Sequence, residues 1–301
     1  MVETDFKTTV TEWFKGLQDR ICGALEATDG KAAFLEDAWH RPGGGGGRTR
    51  IIGPGRILEK GGVGFSAVYG KTPAKILAAL GLDEADFYAT GVSIVMHPRS
   101  PMVPIIHMNV RYFEMSNGVS WFGGGIDLTP HYVDEADARH FHGHLKAVCD
   151  AHHPTYYPQF KAWADDYFYI KHRDETRGIG GIFFDRLMAT EGFTAGDRFG
   201  FVQAVGESFA PLYTHFMRKN SLLPYGEREK EWQMVRRGRY VEFNLVYDKG
   251  TKFGLDTDGR TESILMSLPP QAQWHYNYAV ATDSPEDHTL RLLRKGIAWT
   301  S

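Results

Sequence analysis

The first apolar stripe of the chain has the spacing of an amphipathic helix. Its members recur at steps of three and four and predict a helix over 5–26: Phe6, Val10, Phe14, Leu17, Ile21 and Leu25. Similar stripes predict helices over 134–151 and through 199–216. Pro158 suits the first turn of another helix that continues to about 171, and Ser284 suits the cap of the last one.

Short β-type stretches lie between these helices. They predict strands near 48–52, 56–61, 89–97, 104–114, 119–123 and 177–185, and two more strands within 240–255 around a turn at 248–250. The strands cluster along the chain without a regular alternation of strand and helix. This order favours one α+β domain over 1–301, with a mostly antiparallel β-sheet covered by α-helices.

One of these strands carries a row of polar residues on one of its two faces. Within the stretch 104–114, His107, Asn109 and Arg111 alternate with apolar residues and therefore point to the same side. The preceding strand places Ser93 and His97 on one face, so a hairpin of the two strands would bring these polar groups together. A half-solvated sheet face is the alternative interpretation, but this row supplies directional donors suited to an anionic ligand.

Two glycine-rich stretches lie on either side of this strand. The run RPGGGGGRTR at 41–50 lacks the sequence of a phosphate-binding loop and predicts a hairpin tip or, as the alternative, a lid over a ligand. The run SWFGGGIDLTP at 120–130 allows close approach of another group to the backbone and ends beside Asp127. That aspartate either caps a turn or presents a carboxylate at the edge of an aromatic hollow.

Composition and charge argue against a nucleic-acid-binding protein, a disulfide- or zinc-based fold and a membrane-spanning protein. The formal net charge of −3 over 301 residues predicts no general affinity for nucleic acid. Cys22 and Cys149 have neither disulfide-framework nor zinc spacing, and no apolar run is long enough to span a membrane. A cytoplasmic protein is the expectation. Among the histidines, His140, His142 and His144 cannot chelate one ion together from a helix, because alternate residues point in nearly opposite directions.

Several long motifs together resemble the oxygen-dependent coproporphyrinogen III oxidase family. The resemblance extends over nearly the whole chain and is carried by GVSIVMHPRSPMVPIIHMNVRYFE, WFGGGIDLTPHY, DDYFYIKHRDETRGIGGIFFD and YVEFNLVYDKGTKFGL followed by GRTESILMSLPP. It implies conversion of two propionates of coproporphyrinogen III to vinyl groups in haem biosynthesis, with consumption of dioxygen and release of CO2 and H2O2. It also implies a large, mostly antiparallel β-sheet flanked by α-helices on both faces. The protein would be a homodimer that requires no cofactor, although manganese is described for some bacterial members.

The resemblance also implies roles for individual residues. Asp127 would engage the centre of the macrocycle, and His107 would donate a proton, with Arg111 completing the catalytic set. The positions implied to contact substrate are Ser93, Asn109, Val110, Arg111, Gly259 and Arg260. The positions implied as metal ligands are His97, His107, His142 and His172. Asp258 stands where relatives often have glycine, and its carboxylate would repel the substrate unless it points outward.

Three hypotheses are therefore open. The first is an oxidative decarboxylase without a cofactor, and the second is a manganese-dependent version that uses the four histidines. The third is a tetrapyrrole carrier without chemistry, which would bind tightly but consume no dioxygen. The retained set of His107, Arg111 and Asp127 favours an enzyme, because a carrier needs no group for proton transfer.

Overall fold

The computed structural model describes residues 5–72, 77, 84–256 and 259–300. Its helices are α1 (Phe6–Asp29), α2 (Glu135–Asp150), α3 (Tyr156–Tyr167), α4 (Ala195–Asn220), α5 (Glu227–Val246), α6 (Lys249–Asp256), α7 (Thr261–Leu265) and α8 (Pro285–Leu292). Its strands are β1 (Leu35–His40), β2 (Gly45–Ile52), β3 (Leu58–Lys71), β4 (Asp86–Pro98), β5 (Ile105–Met115), β6 (Ser120–Thr129), β7 (Tyr169–Ile170), β8 (Glu175–Thr176) and β9 (Gly181–Leu187).

The centre of the fold is a seven-stranded sheet in the order β1-β2-β3-β4-β5-β6-β9. Every pair of neighbouring strands in it is antiparallel, and β7 and β8 form a separate two-stranded ribbon. The predicted α+β class and the large antiparallel sheet are therefore confirmed. Consecutive strands from β1 to β6 are neighbours, so hairpin connections suffice to build most of the sheet.

The two faces of the sheet differ in character. The face that we call the core face carries apolar side chains such as Ile94, Met108 and Val110, which pack with α1 and α4 in the main hydrophobic cluster. The opposite face, which we call the polar face, carries the predicted polar row of β5. Tyr240 of α5 packs on the polar face against Val95 and Ile105, so helices lie on both faces of the sheet, as the sequence predicts.

The glycine run forms the turn and the start of the second strand of the β1–β2 hairpin. The backbone carbonyl of Arg41 accepts a hydrogen bond from the backbone N–H of Gly44, and this bond closes the turn. A Cβ at Gly47 would lie 2.5 Å from the Trp39 ring, so the indole can cover β2 only because this residue is glycine. The hairpin prediction is confirmed.

The two strands predicted within 240–255 are wrong. This stretch instead forms the end of α5 and all of α6. Tyr240, Phe243 and Tyr247 recur at steps of three and four, and this helical spacing outweighs the β-propensity of the individual aromatic and branched residues. The single-domain prediction is not tested by the fold, although the main cluster draws on residues from Val10 to Trp299.

Candidate active site

Strand register assembles the polar groups of the sheet. Ser93 of β4 lies opposite Asn109 of β5, and His107 of β5 lies opposite Asp127 of β6. Residues directly opposite each other in an antiparallel pair share a face. The predicted hairpin between the Ser93 and Asn109 strands therefore forms, and the same register adds Asp127 to the face on which His107 lies.

A hollow of about 550 Å³ opens over the middle of this polar face, within the range of small-molecule sites. Glycine lies in its floor, and Gly91 could not carry a side chain there because its Cβ would be 2.4 Å from the carbonyl oxygen of Val110. The wall includes the aromatic residues Phe113, Trp121 and Phe253 and three charged residues, Arg111, Asp185 and Arg186. Such a hollow suits a flat apolar ligand with acidic groups at its rim.

Arg111 is held in place at the wall of the hollow. Its Nη1 donates to Asn109 Oδ1 at 2.8 Å, and its Nη2 donates to Asp185 Oδ1 at 2.8 Å. The side chain remains 36 % exposed, so the guanidinium still faces the open space. Because a guanidinium has five donors in a rigid plane, Arg111 can keep both contacts and still receive a carboxylate.

Asp127 lies below the surface of the polar face. One of its oxygens accepts a hydrogen bond from His107 Nδ1 at 2.7 Å, and Arg177 Nη2 donates to both oxygens at 2.9 and 2.7 Å. Burial would raise the pKa of Asp127, but the charge of Arg177 and the hydrogen bond with His107 outweigh it and lower that pKa. Asp127 does not line the hollow, and contact between its carboxylate and a ligand would require Arg177 or His107 to move.

Arg177 is a candidate site residue that the sequence did not predict. Its guanidinium is enclosed by three aromatic rings, whose centroids lie 4.4 Å (Phe168), 4.7 Å (Tyr240) and 4.7 Å (Phe243) from its Cζ. The side chain is buried, and its Nη1 donates to Asn244 Oδ1 at 2.8 Å. Its sequence context is a loop next to a glycine-rich strand, so no periodic pattern marks it. α5 supplies two of its aromatic neighbours and β6 supplies its acidic partner, and these elements come close to Arg177 only in the folded chain.

His107 connects this buried pair to more accessible space. Its Nδ1 is bound to Asp127, which leaves Nε2 for proton exchange with a ligand. The side chain is 20 % exposed and packs edge-on against Phe168. His107 and Arg111 lie four residues apart on one strand face, about 13 Å along the sheet. One extended ligand on this face could therefore contact both residues.

The remaining residues predicted to contact substrate are Val110, Gly259 and Arg260. The side chain of Val110 is buried on the core face, so only its backbone could reach a ligand. Arg260 pairs with Asp37 of β1 and donates to Ser263 Oγ at 3.3 Å, while the N–H of Gly259 donates to Gly254 O at 2.8 Å.

The segment that contains these last residues covers the β2–β3 part of the polar face. Met266 of this segment lies over Gly64 of β3, because a Cβ at Gly64 would be 3.3 Å from the methyl carbon of Met266. Neither Gly259 nor Arg260 is among the described residues that line the hollow, and Asp258 lies outside the described residues.

The buried histidines of the predicted metal set have separate surroundings. His142 packs against the rings of Phe141, Tyr157 and Trp299 in the main cluster, and its ring nitrogens contact Tyr157 Oη at 3.0 Å and Ile179 O at 2.9 Å. His97 lies on the polar face with Nε2 at 2.8 Å from Ser267 O. Burial lowers the pKa of His97 to about 3 and that of His142 to about 4, so both rings are neutral near pH 7.

The fourth member, His172, lies near the surface. Its ring nitrogens contact Tyr247 Oη at 2.8 Å and Glu242 Oε2 at 2.6 Å. Burial would raise the pKa of Glu242, but hydrogen bonds from Arg173 and His172 lower it from 4.5 to about 2. Across 5–72, 77, 84–256 and 259–300, no cluster of three or more His, Cys, Asp or Glu side chains could hold a metal ion. Within this part of one chain the four histidines do not form one cluster, and their use of a metal ion stays a prediction.

A comparison with models of known protein families found a match over nearly the whole chain. The family model for coproporphyrinogen III oxidase matches residues 9–299 of the chain. The chain belongs to the coproporphyrinogen III oxidase family. The family supports oxidation of coproporphyrinogen in haem biosynthesis by a decarboxylating oxidase, with a tetrapyrrole as substrate. No helix among the described residues is both long and apolar enough to cross a bilayer.

Proposed function

We propose that the chain catalyses the oxygen-dependent conversion of coproporphyrinogen III to protoporphyrinogen IX. In each of two steps a propionate loses CO2 and a β-hydrogen, and the side chain becomes a vinyl group. The two electrons released reduce one O2, which takes up two protons to give H2O2. In this proposal dioxygen is the electron acceptor, and no organic cofactor or metal ion is required.

The observation that carries the proposal is the hollow with Arg111 at its wall and His107 further along the same strand. Coproporphyrinogen is a large apolar macrocycle with four carboxylates at its edge. Its body fits a space with glycine in the floor and aromatic residues in the wall. Arg111 supplies a planar fork for one of its carboxylates.

Within the proposal, His107 moves protons at the reacting propionate. Asp127 holds the Nδ1 of His107, so the second nitrogen, Nε2, is the one that exchanges a proton with the substrate or a nearby water. Arg177 keeps Asp127 ionised and immobile, so the carboxylate of Asp127 holds the ring of His107 in one orientation. The apolar ring of Phe168 beside His107 limits the access of water to this pair.

The reaction is tested with purified, metal-stripped protein and coproporphyrinogen III that is prepared without oxygen. Admission of air should start O2 uptake, and chemical oxidation of the product should give protoporphyrin fluorescence, with about two O2 consumed for each product, as the two-step reaction above requires. An aliquot kept anaerobic is the control. Equal product in both aliquots would refute oxygen dependence, and tight binding without O2 uptake would indicate a carrier.

The metal requirement is tested in a separate arm of this experiment. If turnover is lost after treatment with a chelator and restored by Mn²⁺ alone, the proposal of a metal-independent enzyme is wrong. We also propose that the protein acts as a homodimer in the cytoplasm. Light scattering of the purified protein tests the oligomeric state, and a mass near that of one chain would refute it.

A further inference from the structure

The charges that line the hollow do not cancel. Among its described lining residues, the charged side chains are Arg111, Asp185 and Arg186. Arg111 and Asp185 form an ion pair at 2.8 Å and neutralise each other. Arg186 is exposed and forms no hydrogen bond or ion pair with the residues that the structure describes. The unbalanced positive charge of the hollow therefore resides on Arg186.

A β-bulge explains why two consecutive residues line the same hollow. In a regular strand, Asp185 and Arg186 would point to opposite faces. The register of β9 with β6 shifts here, however, so that both residues face the single residue Gly123. Arg186 adopts a left-handed backbone with φ of 50°, which is uncommon for a residue other than glycine. Bulges of this kind re-aim a side chain and are frequent beside active sites.

We propose that Arg186 forms a second carboxylate-binding subsite at the hollow, which receives a propionate that Arg111 does not hold. This inference rests on the proposed function and extends it by one residue. A ligand with several carboxylates needs more than one cation, and Arg111 already shares its charge with Asp185. Arg186 binds the second carboxylate and thereby fixes the orientation of the macrocycle, while His107, held by Asp127, transfers protons elsewhere.

The test replaces the charge without disturbing the bulge. Asparagine tolerates the left-handed conformation well, so Arg186→Asn should fold like the wild type. Its KM for coproporphyrinogen III should rise about three- to tenfold while kcat stays within about twofold, as expected for loss of one charged contact to bound substrate. Arg186→Lys, which keeps the charge, should recover part of the loss.

Binding is measured independently of turnover by fluorescence titration with coproporphyrin III, which has four carboxylates. The Kd of Arg186→Asn should rise by the same factor at low salt, and the difference from wild type should shrink at about 1 M salt, where exposed charges are screened within a few ångströms. The matched control is Arg294→Asn, which removes one positive charge from an exposed residue outside the hollow.

The outcomes separate this inference from the proposed function. If Arg186→Asn and Arg294→Asn have the same KM and Kd as the wild type while turnover proceeds, the subsite is refuted and the proposed function stands. Equal weakening by both variants would show a general charge effect and would also refute the subsite. If the wild type neither binds coproporphyrin nor turns over coproporphyrinogen, both proposals fall.

Discussion

The ion pair between Arg177 and Asp127 makes a sharp prediction about stability. Both side chains are only 2 % exposed, and the pair is bidentate through Nη2. Replacement Arg177→Met fills a similar volume with apolar atoms but leaves Asp127 as a buried carboxylate with His107 alone. Removal of one partner of a buried pair typically costs about 3–5 kcal/mol of unfolding free energy, because the remaining charge is uncompensated.

The double variant Arg177→Met/Asp127→Asn contains no buried charge at this position. We therefore expect it to lose less stability than either single variant, which corresponds to a coupling energy of at least about 3 kcal/mol. The free energies come from urea unfolding at neutral pH, followed by tryptophan fluorescence and circular dichroism. The buried carboxylate should also acquire a raised pKa in Arg177→Met, because burial then meets no opposing arginine.

An exposed pair provides the control for this cycle. Arg139 and Glu135 form a contact at 3.2 Å one helical turn apart, with side chains that are about half exposed. Their coupling should be only about 0.3–0.5 kcal/mol. If the effects of Arg177→Met and Asp127→Asn add to within about 0.5 kcal/mol, the buried pair has no special energetic role and the reasoning is refuted.

Three further predictions concern the hollow and the acid stability of the protein. Arg111→Lys should lower kcat/KM at least about tenfold with little change in melting temperature, because the planar fork is lost; unchanged kinetics would remove this residue from substrate binding. Gly123→Ala places a Cβ 2.5 Å from Asp185 Oδ1 and should raise KM, whereas Gly143→Ala, with no atom within 4 Å, should not; equal kinetics for the two variants would contradict this. The lowered pKa of Glu242, about 2, implies stability that is present above pH 4.5 and lost as pH falls toward 2, so Glu242→Gln should flatten that slope in acid unfolding, and an unchanged slope would exclude the effect.

Sequence periodicity was sufficient to predict those helices and strands that have one buried face. The polar row of β5 alternates cleanly with Met108 and Val110, so both the strand and its two faces could be predicted. β1 escaped prediction because it is an exposed edge strand with little apolar alternation. α5 escaped because its first half is rich in charge, and because Arg236 and Arg237 at its middle are buried through ion pairs that no local pattern reveals.

The site was predictable only in part for the same physical reason. His107, Asn109 and Arg111 share a face by the two-residue repeat of one strand, and this information is local. The environment of Asp127 depends on Arg177, which is 50 residues away in sequence. The bulge that brings Arg186 to the hollow depends on how β9 pairs with β6, and the sequence of β9 alone does not specify it.

The pairing of β5 with β6 brings His107 and Asp127 together, so in the proposed function activity depends on the correct pairing of these strands. A slip of one residue between these strands would send His107 and Asp127 to opposite sides of the sheet. The glycines at 123–125 have no side chains to oppose such a slip, so alignment depends on flanking apolar residues such as Phe122 and Ile126. Under the proposed function, a mispaired chain would therefore be a compact but inactive isomer, and the specific activity would measure the fraction of molecules whose central strands are in register.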